Sequence, residues 1–469
     1  MDLLALTEHC AQARERTHTD RAWHVVKMVQ KFGVAAMRDR TIRDSLNLCG
    51  YRKRSPLLLA CKEDLCSVVK FLLENQADIT LQDRAGWTCL MAACEKGCQD
   101  CVQAIVGQYS CAINFGSSKR WKSLTFCTSE LEHQLALVHT QRSAFLNQRD
   151  TNGSSALLIA CAKQKSAIAL YLISKGASLD LQDHDGYSAL MLACVFHLPK
   201  VARALLERNA QVDLSAEDGT TALIAACEYD RIDTGKLLIE RGAYLDAQKN
   251  ILEHTALMTA CYRNQSELAL SLIESGANVN LRDAHSSLAL HFACQSDLSD
   301  VAELLAERTE NVNLKGCQNG WTPLMLACKY ENPSVARLLV LKRNAAIDIQ
   351  SAHGGWTALM LCCKHSQPET ALFLLQHHAL VDLCNAKGRN ALMLAAKYNQ
   401  KRVVEKLVEN GARLDLRDSN GWTALTLAIY KGFEDIACFL LTAKAECHQG
   451  RPSDGLTPLM LAASLGRRT

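Results

Sequence analysis

The chain has 469 residues, of which 48% are hydrophobic and 22% charged, so it can bury a large core and is not disordered over most of its length. Its formal charge of +3 is small for that size, which excludes the polybasic character that drives attachment to nucleic acid or to an anionic membrane. No run of about 18 apolar residues is present, and Met1 opens on Asp2 instead of a basic stretch followed by an apolar one, so neither a membrane span nor a secretory signal is read. A cytoplasmic or nuclear location and no membrane insertion are expected. The 22 cysteines fit that setting, because many recur at one register beside alanine, where a reduced thiol packs as a small apolar group.

Residues 1–45 carry one helical apolar face, Trp23, Val25, Val26, Met28 and Val29, which reads either as a helical cap on the neighbouring segment or as a short interaction segment. The basic side chains Arg38, Arg40, Arg43, Arg52, Lys53 and Arg54 read as a solvated terminal face. From residue 46 to 469 one phrase returns: Ser55-Pro56-Leu57, Thr88-Cys89-Leu90, Ser155-Ala156-Leu157, Thr255-Ala256-Leu257, Thr322-Pro323-Leu324 and so on to Thr457-Pro458-Leu459. With weaker copies at Leu124 and Leu290 the anchor leucines number thirteen and stand 33, 34 or 35 residues apart, a period that marks a repeat architecture.

Each unit reads as helix, turn, helix and loop. Around Leu257, Thr255 can cap a first helix through Cys261, and Leu268, Ala269, Leu272 and Ile273 fall at the spacing of a second, amphipathic one. Gly176, Gly242, Gly276 and Gly411, or Asn209 and Asn344, supply the left-handed residue that closes it. Asp150-Thr151-Asn152-Gly153 and Asp183-His184-Asp185-Gly186 are hairpin-like turns between units. Pro56, Pro323 and Pro458 sit at the first turn of a helix, and Pro199, Pro333 and Pro368 where one helix gives way to the next. The copy at 115–149 is degenerate, lacking the Gly-Ala ending and the Leu-Leu pair, and predicts a hinge or a local insertion. The last copy stops ten residues past its anchor, either as a short polar cap or as the edge of a longer protein.

Gly276-Ala277-Asn278-Val279-Asn280 and Gly320-Trp321-Thr322-Pro323-Leu324 resemble the ankyrin repeat, and the resemblance runs from about residue 46 to the end. It implies an all-α solenoid of stacked helix-turn-helix units. One departure is systematic: the family's histidine after Pro-Leu survives only as His291, with Met91, Met191, Met258, Met325, Met360, Met393 and Met460 elsewhere, which puts the histidine's inter-repeat hydrogen bonds in doubt. The resemblance implies a non-enzymatic scaffold or adaptor, or else the recognition arm of a larger protein. One or several protein partners are expected, with no nucleic acid and with the chain a monomer. No phosphate-binding loop, His-Glu-x-x-His pair or Gly-x-Ser-x-Gly elbow is present, and no cofactor is expected.

No metal site is expected either. Cys94, Cys98 and Cys101 fall at i, i+4 and i+7, but Cys94 shares the register of Cys61, Cys161, Cys194 and Cys227, and the family's turn interrupts the helix before Cys101, so these read as buried thiols. Large aromatics recur three residues before an anchor, at Trp87, Trp121, Tyr187, Trp321, Trp356 and Trp422. Others follow an anchor by five or six, at Phe196, Tyr229, Tyr262, Tyr330, Tyr398 and Tyr430. The resemblance places both sets on the concave groove, as contact anchors. It also implies that the asparagine of the closing Val-Asn pair, eight residues after a helix leucine, is open to hydroxylation by the oxygen-sensing asparaginyl hydroxylase. Here that means Asn280 after Leu272 and Asn313 after Leu305, where most copies carry aspartate. A short polar side chain there also holds the loop by bonding backbone.

Overall fold

A computed structural model describes residues 21–115, 143–296, 298–317, 319–451 and 454–466. The chain divides into two compact units, Met1–Ala243 and Tyr244–Thr469. Within each, the first helices of successive repeats pack in one row and the second helices in another.

The first helices are short because each has a fixed start and stop. The hydroxyl of Ser55, Thr88, Ser155, Ser188, Thr221, Thr255, Thr322 or Thr357, or the amide oxygen of Asn390, accepts the backbone N–H three residues on, at 3.0–3.4 Å. Seven residues after eight of the anchors the backbone turns left-handed, at Asp64, Gln164, His197, Asp230, Asn264, Glu331, Ser366 and Asn399. Gly97 and Gly432 supply that conformation where the first helix runs one residue longer. A helix such as Ala222–Glu228 is buried from Ala222 through Cys227, and the small side chains of Ala225, Ala226 and Cys227 let neighbouring helices close on it. The second helices, such as Ser266–Glu274, bury one face through Leu268, Ala269, Leu272 and Ile273. Truncating such a buried leucine to alanine costs about 2–5 kcal/mol.

Polar side chains tie each layer to the one before it. Asn332 Nδ2 donates to the Cys294 carbonyl at 2.6 Å, and Arg231 Nε to that of Cys194 at 3.2 Å, so orphan carbonyls at the end of a first helix are met from the next repeat. Arg208 and Arg308 do the same for the second row, on Ile173 and Ile273 at 2.7 and 2.6 Å. The turns interlock through backbone bonds, His184 N–H to Asn152 and Ser419 N–H to Lys387, both 2.9 Å. Gly186 is required in one of them, since a Cβ there would meet Ala216 Cα at 2.8 Å.

The stack departs from the spacing of the anchors in one place. Helix Cys89–Lys96 packs directly on helix Ala156–Ala162, and the Thr151 N–H bonds the Ala85 carbonyl at 3.0 Å. Among the described residues no further first helix stands between them, and these residues hold twelve first helices. The anchor itself and Trp121 lie outside the described residues.

At the start of the chain, helix Arg21–Phe32 lays Ala22, Val25, Val26, Met28 and Val29 on helices Pro56–Lys62 and Cys66–Glu74, with Trp23 half-buried. The last described helix, Pro458–Ser464, leaves Leu459 and Met460 exposed where earlier copies bury the same positions.

Candidate functional site

The large aromatics before each anchor are held by the turn that carries them. Asp83 Oδ1 accepts the N–H groups of Ala85 and Trp87 at 2.9 and 3.0 Å, and Asp418 those of Asn420 and Trp422, both at 2.9 Å. Tyr187 is bound the same way to Asp183 at 2.7 Å, and Trp356 to the Ser351 hydroxyl at 2.9 Å. These are Asx-type turns, in which a short polar side chain stands in for backbone and fixes where the next side chain leaves. Trp87, Tyr187, Trp321, Trp356 and Trp422 are all half-buried. The second set, at the end of the first helix, is more open: Tyr229, Tyr262, Tyr330, Tyr398 and Tyr430 are 36–54% exposed, and Phe196 is half-buried.

Lysines complete the surface, and a reading of aromatics alone misses them. In unit Tyr244–Thr469, Lys329 Nζ lies 4.3 Å from the Trp321 ring centre and 4.6 Å from that of Tyr330, and donates to the Tyr330 hydroxyl at 3.1 Å. Lys364 stands 4.9 Å from Trp356, Lys397 5.3 Å from Tyr398 and Lys431 5.6 Å from Tyr430. Trp422 meets Tyr430 edge to face at 5.1 Å, with Arg451 4.3 Å over its ring. Each contact is within cation–π range. Tyr262 instead meets Phe292. In the other unit, Lys62 lies 5.0 Å from Trp87.

Burial, together with Arg389, Lys431 and Lys387, pulls the Lys397 ammonium below its ordinary range, opposed by Asp418. Burial also lowers His365, aided by Lys364 and Lys329. Asp418 is itself engaged by Arg389 Nε at 2.9 Å.

A family model of ankyrin repeats in three copies matches overlapping windows over residues 32–119, 124–216, 158–250, 208–283, 243–316, 283–352, 341–418, 377–450 and 414–469. The chain belongs to the ankyrin-repeat family. No curated protein matches it. Ankyrin repeats generally mediate protein–protein interaction, and proteins built from them are typically non-catalytic. Among the described residues no helix is long and apolar enough to cross a membrane.

The lone family histidine makes its inter-repeat bond here. His291 is fully buried; Nδ1 accepts the Leu288 N–H at 3.0 Å and Nε2 reaches the Leu314 carbonyl at 3.0 Å. It replaces a hydroxyl cap, since Leu288 stands where other ankyrin repeats of the chain carry serine, threonine or asparagine. Of the methionines at that place, Met91, Met191, Met258, Met325, Met360 and Met393 are buried.

Asn280 and Asn313 are half-buried and clamp the next repeat: Asn280 Oδ1 accepts the Glu310 N–H at 3.1 Å, and Asn313 Oδ1 that of Ala346 at 2.9 Å. Asp180, Asp382 and Asp415 make the same bond in their repeats at 2.8–2.9 Å. Of the three cysteines read together in the sequence, Cys94 is buried in the first-helix register. Cys98 and Cys101 meet Cys66 of the preceding repeat instead.

Proposed function

We propose that this ankyrin-repeat protein is a scaffold or adaptor whose unit Tyr244–Thr469 binds an extended acidic segment of a protein partner. The observation that carries the reading is the lysine set Lys329, Lys364, Lys397 and Lys431, one per repeat in four successive repeats, each beside an aromatic ring. Packed helices stand about 10 Å apart and an extended chain advances about 3.3 Å per residue, so the lysines match a carboxylate at every third position. Exposed Tyr330, Tyr398 and Tyr430 then give apolar area between the charges. Nucleic acid fits less well, because stacking a base needs an open ring face, and Trp321 and Trp356 are half-buried under lysines. Tyr262 holds the corresponding repeat position within unit Tyr244–Thr469, and Trp87, Tyr187, Phe196 and Tyr229 are proposed as contact anchors within unit Met1–Ala243; the free thiols fit a cytoplasmic or nuclear setting.

Fluorescence anisotropy with a labelled peptide carrying glutamate at every third residue tests this directly. Lys329→Glu with Lys364→Glu should weaken binding about tenfold or more, with a steep salt dependence, and Tyr330→Ala should weaken it with no loss of helix. Undiminished binding by the double charge reversal, or tighter binding of a single-stranded oligonucleotide, would sink the proposal.

Asn280 and Asn313 are proposed as hydroxylation acceptors, with Asn280 favoured by the fuller match of its repeat ending. An added hydroxyl on Cβ leaves the Oδ1 bond to the next repeat in place. Peptide mass spectrometry of protein from oxygenated cells should show one added oxygen on Asn280, and a well-covered unmodified peptide counts against it.

A further inference from the structure

The cysteines of the first two repeats fall into two sets. Cys61 and Cys94 lie in the first-helix register, packed between helices as in later repeats. Cys66, Cys98 and Cys101 lie at the starts of two adjacent second helices, Cys66–Glu74 and Gln99–Phe115. Cys66 stands where other repeats carry Ser166, Pro199, Ile232 or Lys401, and Cys98 where they carry Lys165, Leu198, Arg231 or Gln400, whereas Cys101 takes the buried place of Val68, Ile168 and Val201. Packing accounts for Cys101 but not for Cys66 and Cys98, which are only half-buried at places whose residue type varies from repeat to repeat.

They converge with one carboxylate. Cys66 Sγ is 2.7 Å from Cys98 Sγ, 3.1 Å from Cys101 Sγ and 3.8 Å from Asp64 Oδ1, and all four ligand atoms lie within 4.8 Å of one another. The closest pair is well beyond the ~2.05 Å of a disulfide. It is also nearer than the ~3.5–4.0 Å at which non-bonded heavy atoms of ordinary size settle. A tetrahedral zinc ion with Zn–S near 2.3 Å sets its sulfurs about 3.8 Å apart, which these side chains reach by opening about 1 Å. We infer that Asp64, Cys66, Cys98 and Cys101 form a zinc site joining the first two repeats.

Local structure supplies the shell. Cys98 and Cys101 straddle the first turn of their helix with two residues between them, the common spacing of zinc-binding cysteine pairs. Cys66 opens the neighbouring helix, so two helix N-termini point backbone N–H groups toward thiolate ligands. Asp64 reaches the group because its backbone is left-handed at φ 58°, and Gly97 at φ 86° ends the preceding helix one residue before Cys98. The Lys165 side chain lies against Gly97 and brings positive charge beside a site of four anionic ligands. Asp64 is exposed and Cys66 and Cys98 are half-buried, so an ion can enter, while buried Cys101 closes the inner side. Three thiolates select zinc over calcium or magnesium.

The test uses the full chain, purified under reductant, stripped with chelator and titrated with Zn2+. One equivalent should bind, and Co2+ in its place should give sulfur-to-metal charge-transfer absorption and tetrahedral visible bands. Cys66→Ser and Cys98→Ser should abolish both, while Cys384→Ser, at an exposed cysteine elsewhere, should change neither. Asp64→Asn, which tolerates the left-handed backbone and keeps all three thiols, should weaken zinc at least about tenfold and remain helical. Zinc should raise the Tm of the parent chain and leave that of Cys66→Ser unmoved. Zinc binding indifferent to Cys66→Ser and Cys98→Ser, a disulfide joining Cys66 to Cys98 or Cys101 in freshly isolated protein, or three freely alkylated thiols with no bound zinc would each overturn the assignment.

Discussion

His291 is where one side chain does two jobs that other repeats divide between a hydroxyl cap and a methionine. Its Nδ1 accepts a backbone N–H, so the single ring proton sits on Nε2 and is donated to Leu314. Burial holds its pKa down at about 4, against the opposing pull of the Leu314 carbonyl and nearby Asp283. A folded pKa below the unfolded value of 6.5 means stability present above pH 6.5 and lost as pH falls toward 4. The amplitude is about 3 kcal/mol across that window. Urea unfolding at pH 7 and pH 4.5 should show this loss in the parent chain, and Leu288→Thr with His291→Met, which rebuilds the form of neighbouring repeats, should remove most of it. Other carboxylates titrate in the same range, so the difference between the two proteins is the reading; identical slopes would contradict the account. Asn280 belongs to the same scale. Replacing it with alanine removes one inter-repeat bond and should cost about 1 kcal/mol, whereas Asn280→Asp, the residue most repeats use, should be close to neutral.

At the scale of helices and turns, most of the fold was legible because each rule acts locally and recurs. A hydroxyl before Pro-Leu or Ala-Leu starts the first helix, and Gly176 or Asn209 turns the chain after the second, with φ of 87° and 59°. The register of small residues at Ala225, Ala226 and Cys227 then leaves one way to stack. The lysine stripe was equally legible, since Lys329, Lys364 and Lys397 each follow an anchor leucine by five residues; it is missed by attending to aromatics alone. The Cys66 cluster was not legible from helical spacing, because Cys66 and Cys98 are 32 residues apart and meet only when two repeats stack in register. The pairing with Asp64 needs one thing more, a left-handed turn at a residue that is not glycine. The copy at Leu124, read as degenerate and as a hinge or a local insertion, lies outside the described residues. Its distances to Leu90 and Leu157, 34 and 33 residues, match the period, but spacing measures contour length and cannot say whether a segment joins the stack.

For the molecule as a whole, that copy separates two quantities that repeat proteins usually keep proportional, the length of the chain and the number of layers. Helix Gln99–Phe115 takes its place in the second row beside Cys66–Glu74, and Asn147 already makes the clamp that ends a repeat, accepting the Ser178 N–H at 2.8 Å. The described chain on both sides of that copy, helix Gln99–Phe115 and the clamp at Asn147, thus belongs to one repeat. Such a point behaves as a socket. A fluorescent protein spliced between residues 116 and 142 should leave the unfolding midpoint of the array within about 1 °C, since helices Cys89–Lys96 and Ala156–Ala162 already pack on each other directly. The same graft between the two helices of a regular repeat, for instance after Asn264, should break the row and lower it by several degrees, and equal losses at both places would show that the excursion is part of the stack after all. An array that keeps its midpoint through such a graft can carry cargo at this one place without any change in how its layers stack.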